Sequence, residues 1–139
     1  MERGVLVDTG VLLACLDKRD KWHRTCVELL AGMDSPAVTT FAVLTELFHF
    51  ARKRLRRTDT AWKLVSSGYF IVVPVVADEL ATLQSLMLRY ADRPMDFADA
   101  TLVHVAQREK ISTILTIDHN DFETYRIGGN KKFRILPVR

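Results

Sequence analysis

Acidic side chains follow two short apolar runs of the chain at the point where each run ends. Asp8 comes directly after the run at residues 4–7, and Asp118 comes one residue after the run at 113–116. Runs of this kind are typical of buried parallel strands, whose carboxyl ends gather functional groups. Taken singly, each acid also fits a structural role, Asp8 as a helix N-cap and Asp118 in an Asx turn.

Two further acids fall on predicted helices. Asp96 is better placed than Asp99 to cap one of them, which leaves Asp99 in the first turn, where the helix dipole stabilises an acid by about 0.3–1 kcal/mol. Glu46 lies in an apolar helical segment, and a buried ionised glutamate without a partner costs several kcal/mol. The segment therefore needs a cation, a cluster of donors or a water-filled pocket. The alternative is an ion pair of Glu46 with His49 or an arginine.

These four acids come from separate stretches of the chain. If the fold brings them together, their mutual repulsion is severe unless a counter-ion offsets it. Mg²⁺ or Mn²⁺ prefers oxygen ligands, keeps several waters, makes water a usable nucleophile and neutralises a phosphate. We therefore predict a divalent cation among Asp8, Glu46, Asp99 and Asp118. A Glu46 far from Asp8 and facing bulk solvent would contradict this prediction.

Short apolar strands alternate with amphipathic helices along the sequence. The predicted strands lie at residues 4–7, 37–39, 70–73, 113–116 and 133–136. The predicted helices lie at residues 11–16, 23–33, 41–54, 58–66, 78–90 and 97–108. This alternation favours an α/β fold, a parallel sheet with helices on both faces. Without a repeat or a Pro/Gly/Ser linker, residues 1–139 are expected to form one domain.

The composition excludes several classes of protein. The 139 residues are 48% hydrophobic and 27% charged, as in globular rather than disordered proteins. No apolar run approaches the ~18–20 residues that span a bilayer, and no secretory signal is evident, so we expect a cytoplasmic protein. Two cysteines are too few for a disulfide framework. The net charge of +3 permits a polyanionic partner without requiring one.

A basic cluster follows the Glu46 helix. Five of the six residues at 52–57 are cations, which suits either the negative end of a helix dipole or a surface that contacts phosphates. If the cluster contacts phosphates, the predicted RNA-binding residues are Arg52, Arg54, Arg56 and Arg57. The helices at 41–54 and 60–66 also carry more apolar side chains than one face buries, which predicts an apolar surface for a partner. The basic loop at 126–132 has no assigned function.

The ordered set of motifs resembles the PIN domain, a family of metal-dependent ribonucleases. The motifs are Val7-Asp8-Thr9 after a strand, Glu46 in the third helix, Asp-Ala-Thr-Leu at residues 99–102, and Thr116-Ile-Asp118 after a later strand. Size and layout are most similar to VapC-type toxins of toxin–antitoxin pairs. The resemblance covers residues 4–136 and implies a three-layer α/β/α sandwich with a mainly parallel sheet.

The resemblance also implies roles for individual residues. The acidic quartet would hold one or two Mg²⁺ or Mn²⁺ ions, Thr9 and Thr116 would orient its carboxylates, and Asp96 and Asp121 would be outer acids. The implied reaction is RNA hydrolysis that leaves 5′-phosphate and 3′-hydroxyl ends. A homodimer and an antitoxin that blocks the site are the implied partners.

Two other classes remain as alternatives. A catalytically inactive PIN-like module would bind RNA or protein without cutting, although the intact quartet argues against it. A phosphatase or phosphoacceptor on a flavodoxin-like sheet needs a second acid close to Asp8, but Thr-Gly-Val follows it. A Rossmann cofactor site is excluded because Gly4 and Gly10 do not form a glycine-rich turn.

Overall fold

The computed structural model describes residues 3–93 and 95–138. The strands are β1 (Val5–Val7), β2 (Ala37–Thr40), β3 (Phe70–Val73), β4 (Thr113–Leu115), β5 (Arg126–Ile127), β6 (Lys131–Lys132) and β7 (Arg134–Leu136). The helices are α1 (Thr9–Leu16), α2 (His23–Ala31), α3 (Phe41–Leu55), α4 (Asp59–Val65), α5 (Leu80–Arg89), α6 (Phe97–Glu109) and α7 (His119–Thr124). A 3₁₀ turn at Ala77–Glu79 precedes α5.

Five strands form one parallel sheet in the order β3-β2-β1-β4-β7, flanked by helices. The predicted α/β sandwich with a parallel sheet is therefore confirmed. The central strand β1 pairs with β2 on one side and with β4 on the other, so that Leu6 lies opposite both Val38 and Ile114. Because these three strands are parallel, Asp8, Thr40 and Thr116 emerge at the same edge of the sheet.

The core explains why the sheet stays in this register. All three residues of β1 are buried, and α6 buries Leu102, Val103 and Val105 along its inner face. Gly10, in the first turn of α1, comes so close to Ile117 that a Cβ would lie 2.8 Å from its Cγ1. A side chain at position 10 would push the start of α1 away from the segment after β4.

The structure differs from the sequence prediction at three places. The predicted helix at 78–90 divides into the 3₁₀ turn and α5, the segment after Asp118 forms the helix α7, and the basic loop at 126–132 contains the antiparallel hairpin β5–β6. Each unpredicted element has six residues or fewer, too short for a hydrophobic period to show. None of the helices in the described residues is long and apolar enough to cross a membrane.

Candidate active site

Asp8 lies at the carboxyl end of β1 with both carboxylate oxygens engaged. Oδ1 accepts a hydrogen bond of 2.8 Å from the Thr9 amide, which makes Asp8 the N-cap of α1. Oδ2 accepts a hydrogen bond of 3.0 Å from the Thr116 hydroxyl. The N-cap alternative therefore accounts for only one oxygen of this buried carboxylate, and the other is held by the strand that neighbours β1.

Glu46 is joined to the same strand end by Thr9. The Thr9 hydroxyl donates to Glu46 Oε1 at 2.7 Å, while its amide donates to Asp8. One threonine therefore fixes carboxylates from two elements, the cap of α1 and the second turn of α3. The glutamate is half-buried, and the partner that the apolar helix required is this hydroxyl.

Asp99 enters the site from the first turn of α6. Asp96 caps that helix, its Oδ1 accepting from the Asp99 amide at 2.7 Å, as the sequence predicted. Asp99 Oδ2 accepts a hydrogen bond of 3.0 Å from the hydroxyl of Tyr125, which is fully buried. The Tyr125 ring stands edge-on to Tyr90 and Phe122. No sequence pattern marks this tyrosine, because its contact with Asp99 spans 26 residues.

Asp118 lies at the rim and is linked to Asp8 through Thr116. The Thr116 oxygen accepts from the Asp118 amide at 2.9 Å while its proton goes to Asp8. Asp118 caps α7, with Oδ1 3.5 Å from the Asp121 amide, and Asp121 forms an ion pair of 3.2 Å with Arg93. Asp118 is exposed.

The electrostatics reflect acids packed against one another. The pKa of Asp8 is raised from 3.8 to about 6, chiefly by burial. The negative charges of Glu46 and Asp96 contribute to the same rise. Burial, followed by the charges of Asp8 and Asp96, raises the pKa of Asp99 to about 8. The pKa of Glu46 is raised too, chiefly by burial. A bound cation would offset both causes, since it favours the charged form of each acid.

The donor set fits a hydrated hard cation. Within residues 3–93 and 95–138, no group of three acidic, histidine or cysteine side chains is arranged to hold a metal ion by itself. Mg²⁺ does not need such a cage, because it keeps several waters and is usually bound through one or two carboxylates. The oxygen-only character of the four acids suits Mg²⁺ or Mn²⁺ rather than a softer metal.

The basic cluster lies at the far end of α3. Arg54 is eight residues beyond Glu46, about 12 Å along the helix axis. Its Nη2 donates to Asp17 at 2.9 Å and to Asp20 at 3.0 Å. Arg57 pairs with Asp59. Two of the four predicted RNA-binding arginines, Arg54 and Arg57, therefore already have carboxylate partners; the role of the four in RNA binding stays a prediction.

Replacing Arg54 with alanine is expected to lower the free energy of unfolding by about 1–3 kcal/mol, because the nearly buried Asp17 carboxylate loses a charged donor. Urea unfolding measures the effect, with Arg52→Ala as the matched control. Equal stability of the two variants would show that the Arg54 contacts do not stabilise the fold.

Among the exposed apolar side chains, two groups lie on or beside α3. Phe41 and Phe97, 62% and 48% exposed, line a cavity of about 510 Å³ together with Glu46 and Asp96. On the other surface, Trp62 is 59% exposed and its ring contacts Phe48. The excess of apolar residues on the third and fourth helices predicted an apolar surface, and the surface around Trp62 and Phe48 corresponds to it.

The sequence and the fold are similar to those of known proteins. The model of the PIN domain matches residues 5–128. Ribonuclease VapC26 of Mycobacterium tuberculosis is 26% identical over 96% of this chain and its own full length. The crystal structure of M. tuberculosis VapC20, a Sarcin-Ricin loop cleaving toxin, has a TM-score of 0.73 at 25% identity and covers 80% of this chain and 87% of its own.

A toxin–antitoxin complex from Klebsiella pneumoniae shares the fold, with a TM-score of 0.66 at 19% identity over 87% of this chain and 92% of that chain. The family model covers most of the sequence and includes all four strand-end and helix acids. The chain belongs to the PIN domain family.

Proposed function

We propose that this protein is a metal-dependent endoribonuclease and the toxin of a toxin–antitoxin pair. The observation that supports it best is the pair of threonine bridges. Thr9 joins the carboxylates of Asp8 and Glu46, and Thr116 joins Asp8 to the backbone of Asp118. The similarity to a ribonuclease and to an RNA-cleaving toxin supports the same proposal.

The carboxylates of Asp8, Glu46, Asp99 and Asp118 would hold one or two Mg²⁺ or Mn²⁺ ions. Such an ion, when bound, supplies a water of lowered pKa and neutralises the scissile phosphate. Thr9 and Thr116 orient the carboxylates of Asp8 and Glu46, and Thr116 also fixes the backbone of Asp118. No serine, cysteine or histidine nucleophile is needed, and the outer acids Asp96 and Asp121 add negative potential around the site.

The test is cleavage of defined RNAs by the purified protein. Single-stranded and structured RNAs are incubated with Mg²⁺, Mn²⁺ or EDTA, and the ends of the products are identified. We expect metal-dependent cleavage that leaves 5′-phosphates. RNA binding without cleavage under every metal condition would instead support the inactive PIN-like module. The Asp99→Asn variant, purified in the same way, controls for contaminating nucleases because it must lose cleavage. The Asp34→Asn variant, altered at an exposed acid before β2, must cleave like wild type.

Tyr125 is a proposed positioning residue for Asp99. Because Tyr125→Phe removes a hydroxyl that donates to this carboxylate and keeps the buried ring, we expect a roughly 10-fold rise in the Mn²⁺ concentration that gives half-maximal cleavage. Loss of orientation at a metal-binding group of this kind typically costs 10–100-fold in affinity or activity. Cleavage rates over a Mn²⁺ titration measure the shift.

The neighbouring Tyr90 provides a matched control. Its hydroxyl accepts from the Arg126 amide, so Tyr90→Phe removes a similar group without touching an acid. The positioning role is supported if the Mn²⁺ dependence of cleavage shifts in Tyr125→Phe but not in Tyr90→Phe. An unchanged Mn²⁺ dependence in Tyr125→Phe would show that the hydroxyl only stabilises the fold.

An antitoxin and a second copy of the chain are the proposed protein partners. The surface around Trp62 and Phe48 is the proposed antitoxin contact, since an exposed tryptophan packed on a half-buried phenylalanine has the character of an interface. The structural similarity to a toxin from a toxin–antitoxin complex supports a partner of this class. The molar mass of the protein in solution tests the homodimer.

A further inference from the structure

The hairpin β5–β6 is attached to the candidate site by its first residues. Arg126, which begins β5, directly follows Tyr125, whose hydroxyl contacts Asp99. The Arg126 amide donates to the Tyr90 hydroxyl at 3.0 Å, which fixes the start of the hairpin against the end of α5. The hairpin therefore begins at the residue next to Tyr125, whose hydroxyl contacts the Asp99 carboxylate.

The tip of the hairpin lies along α6. Gly128 packs against Gln107, with the position of a Cβ 3.7 Å from the Gln107 side chain. Gln107 is eight residues beyond Asp99 on the same helix, or about 12 Å along its axis. A single RNA strand bound at Asp99 can therefore follow α6 and reach the hairpin within a few nucleotides.

Like charges face each other across this hairpin. Arg126 is the cross-strand neighbour of Lys132, an arrangement that is destabilising when nothing offsets it. Arg126 is offset: its Nη1 donates to three backbone carbonyls at the end of α7, from Glu123, Thr124 and Tyr125. Lys131 and Lys132 are exposed, and neither forms an ion pair within the described residues.

A third cation is fixed at the tip. Arg89 Nη2 donates to the Gly129 carbonyl at 3.4 Å, and its guanidinium remains exposed. Gly128 and Gly129 have φ angles of 60° and 88°, which glycine adopts without strain. A Cβ at Gly129 would also lie 3.2 Å from the Arg89 guanidinium, so glycine leaves room for the arginine. The turn therefore holds Arg89 beside the two lysines.

We propose that Arg89, Lys131 and Lys132 form a phosphate-binding surface that holds the RNA backbone where it runs beyond the acidic site along α6, about 12 Å from Asp99. The inference rests on the proposed ribonuclease function. An acidic site repels RNA by itself, so that function requires cations nearby. The hairpin lysines have no acid partner in the described part of the chain, whereas Arg54 and Arg57 of the α3 cluster already bind carboxylates.

The test is the salt dependence of RNA binding by the Lys131→Ala/Lys132→Ala variant. A fluorescent single-stranded RNA is titrated in EDTA at several salt concentrations. Each lost contact with a phosphate reduces the slope of log K against log salt by about 0.7, so we expect a reduction of about 1.4. At 50 mM salt the same relation predicts weaker binding by roughly 10-fold per lysine. Both side chains are exposed, and an unchanged melting temperature would exclude unfolding.

The control variant Lys18→Ala/Lys63→Ala loses the same net charge at exposed lysines on other elements. A slope reduced only in the hairpin variant supports the proposal. An equal reduction in both variants, or wild-type binding by the hairpin variant, overturns it. Cleavage by wild type in Mn²⁺ is measured in parallel. If wild type cleaves RNA and the hairpin variant binds RNA like wild type, only the hairpin proposal is rejected. If wild type neither binds nor cleaves RNA, both proposals are rejected.

Discussion

Changing Asp99 to asparagine is expected to reduce metal-dependent RNA cleavage by about 100- to 1000-fold while the protein remains folded. The size follows from the several kcal/mol of charge stabilisation that a bound metal ion contributes to phosphate hydrolysis. Asparagine keeps an oxygen that accepts the Tyr125 hydroxyl proton, so the hydrogen bond at this position survives. Only the negative charge is lost. Glu46→Gln, which likewise keeps an acceptor for Thr9, is expected to have an effect of the same order.

Two measurements separate lost chemistry from lost structure. Thermal unfolding in EDTA should give a melting temperature for Asp99→Asn at least as high as for wild type, because the substitution removes a charge that Asp8 and Asp96 repel. Mn²⁺ should raise the melting temperature of wild type more than that of the variant. Full cleavage activity in Asp99→Asn would place the reaction elsewhere and contradict the proposed site.

The second large effect is a loss of stability in the metal-free protein as pH rises from 5 to 8. Asp8 and Asp99 have folded-state pKa values of about 6 and 8, against 3.8 for the unfolded chain. Between these values the folded state binds more protons than the unfolded state, so the free energy of unfolding falls as pH rises. The nearly buried Asp8 contributes a decrease on the order of 1 kcal/mol over this range. Asp99 also lowers the free energy of unfolding over this range, but its partial exposure to solvent makes its contribution smaller.

Melting temperatures from pH 5 to 8, in EDTA and in Mn²⁺, test this relationship. We expect a decline of several degrees in EDTA. We also expect a stabilisation by Mn²⁺ that grows with pH, because the cation binds deprotonated carboxylates. Asp8→Asn should flatten the decline in EDTA. A melting temperature that rises from pH 5 to 8 without metal would show that burial and the neighbouring acids do not raise these pKa values.

Much of the fold is predictable from the sequence because its long elements have clear patterns. The run Phe70–Val73 matches β3 at both ends, and α3 extends only one residue beyond its predicted end at Arg54. The N-cap role of Asp96 follows from its position three residues before Asp99. These features depend on neighbouring residues in the chain, which is the range over which hydrophobic period and capping rules operate.

The contacts that were missed join residues that are far apart in sequence. The hydrogen bond of Tyr125 to Asp99 spans 26 residues, and the ion pair of Arg54 with Asp17 spans 37. A run of cations gives no sign of such a partner, so the sequence indicates either a helix-end charge or a contact for RNA at Arg54 but not its ion pair with Asp17. The hairpin carried one usable signal, Gly128-Gly129 between short runs, which is a known pattern for tight hairpin turns. Its strands of two residues were too short to support that signal.

The pairing of β1 with β4 determines when the site comes into being during synthesis. Asp8 leaves the ribosome well before the hydroxyl that holds it, which belongs to Thr116, 108 residues later. Until that later segment has emerged, Asp8 lacks the neighbouring strand β4 and Asp118 has not been made. A nascent chain that stops short of Asp118 thus contains no complete site, so the messenger RNA being translated is not exposed to the proposed nuclease during that part of synthesis.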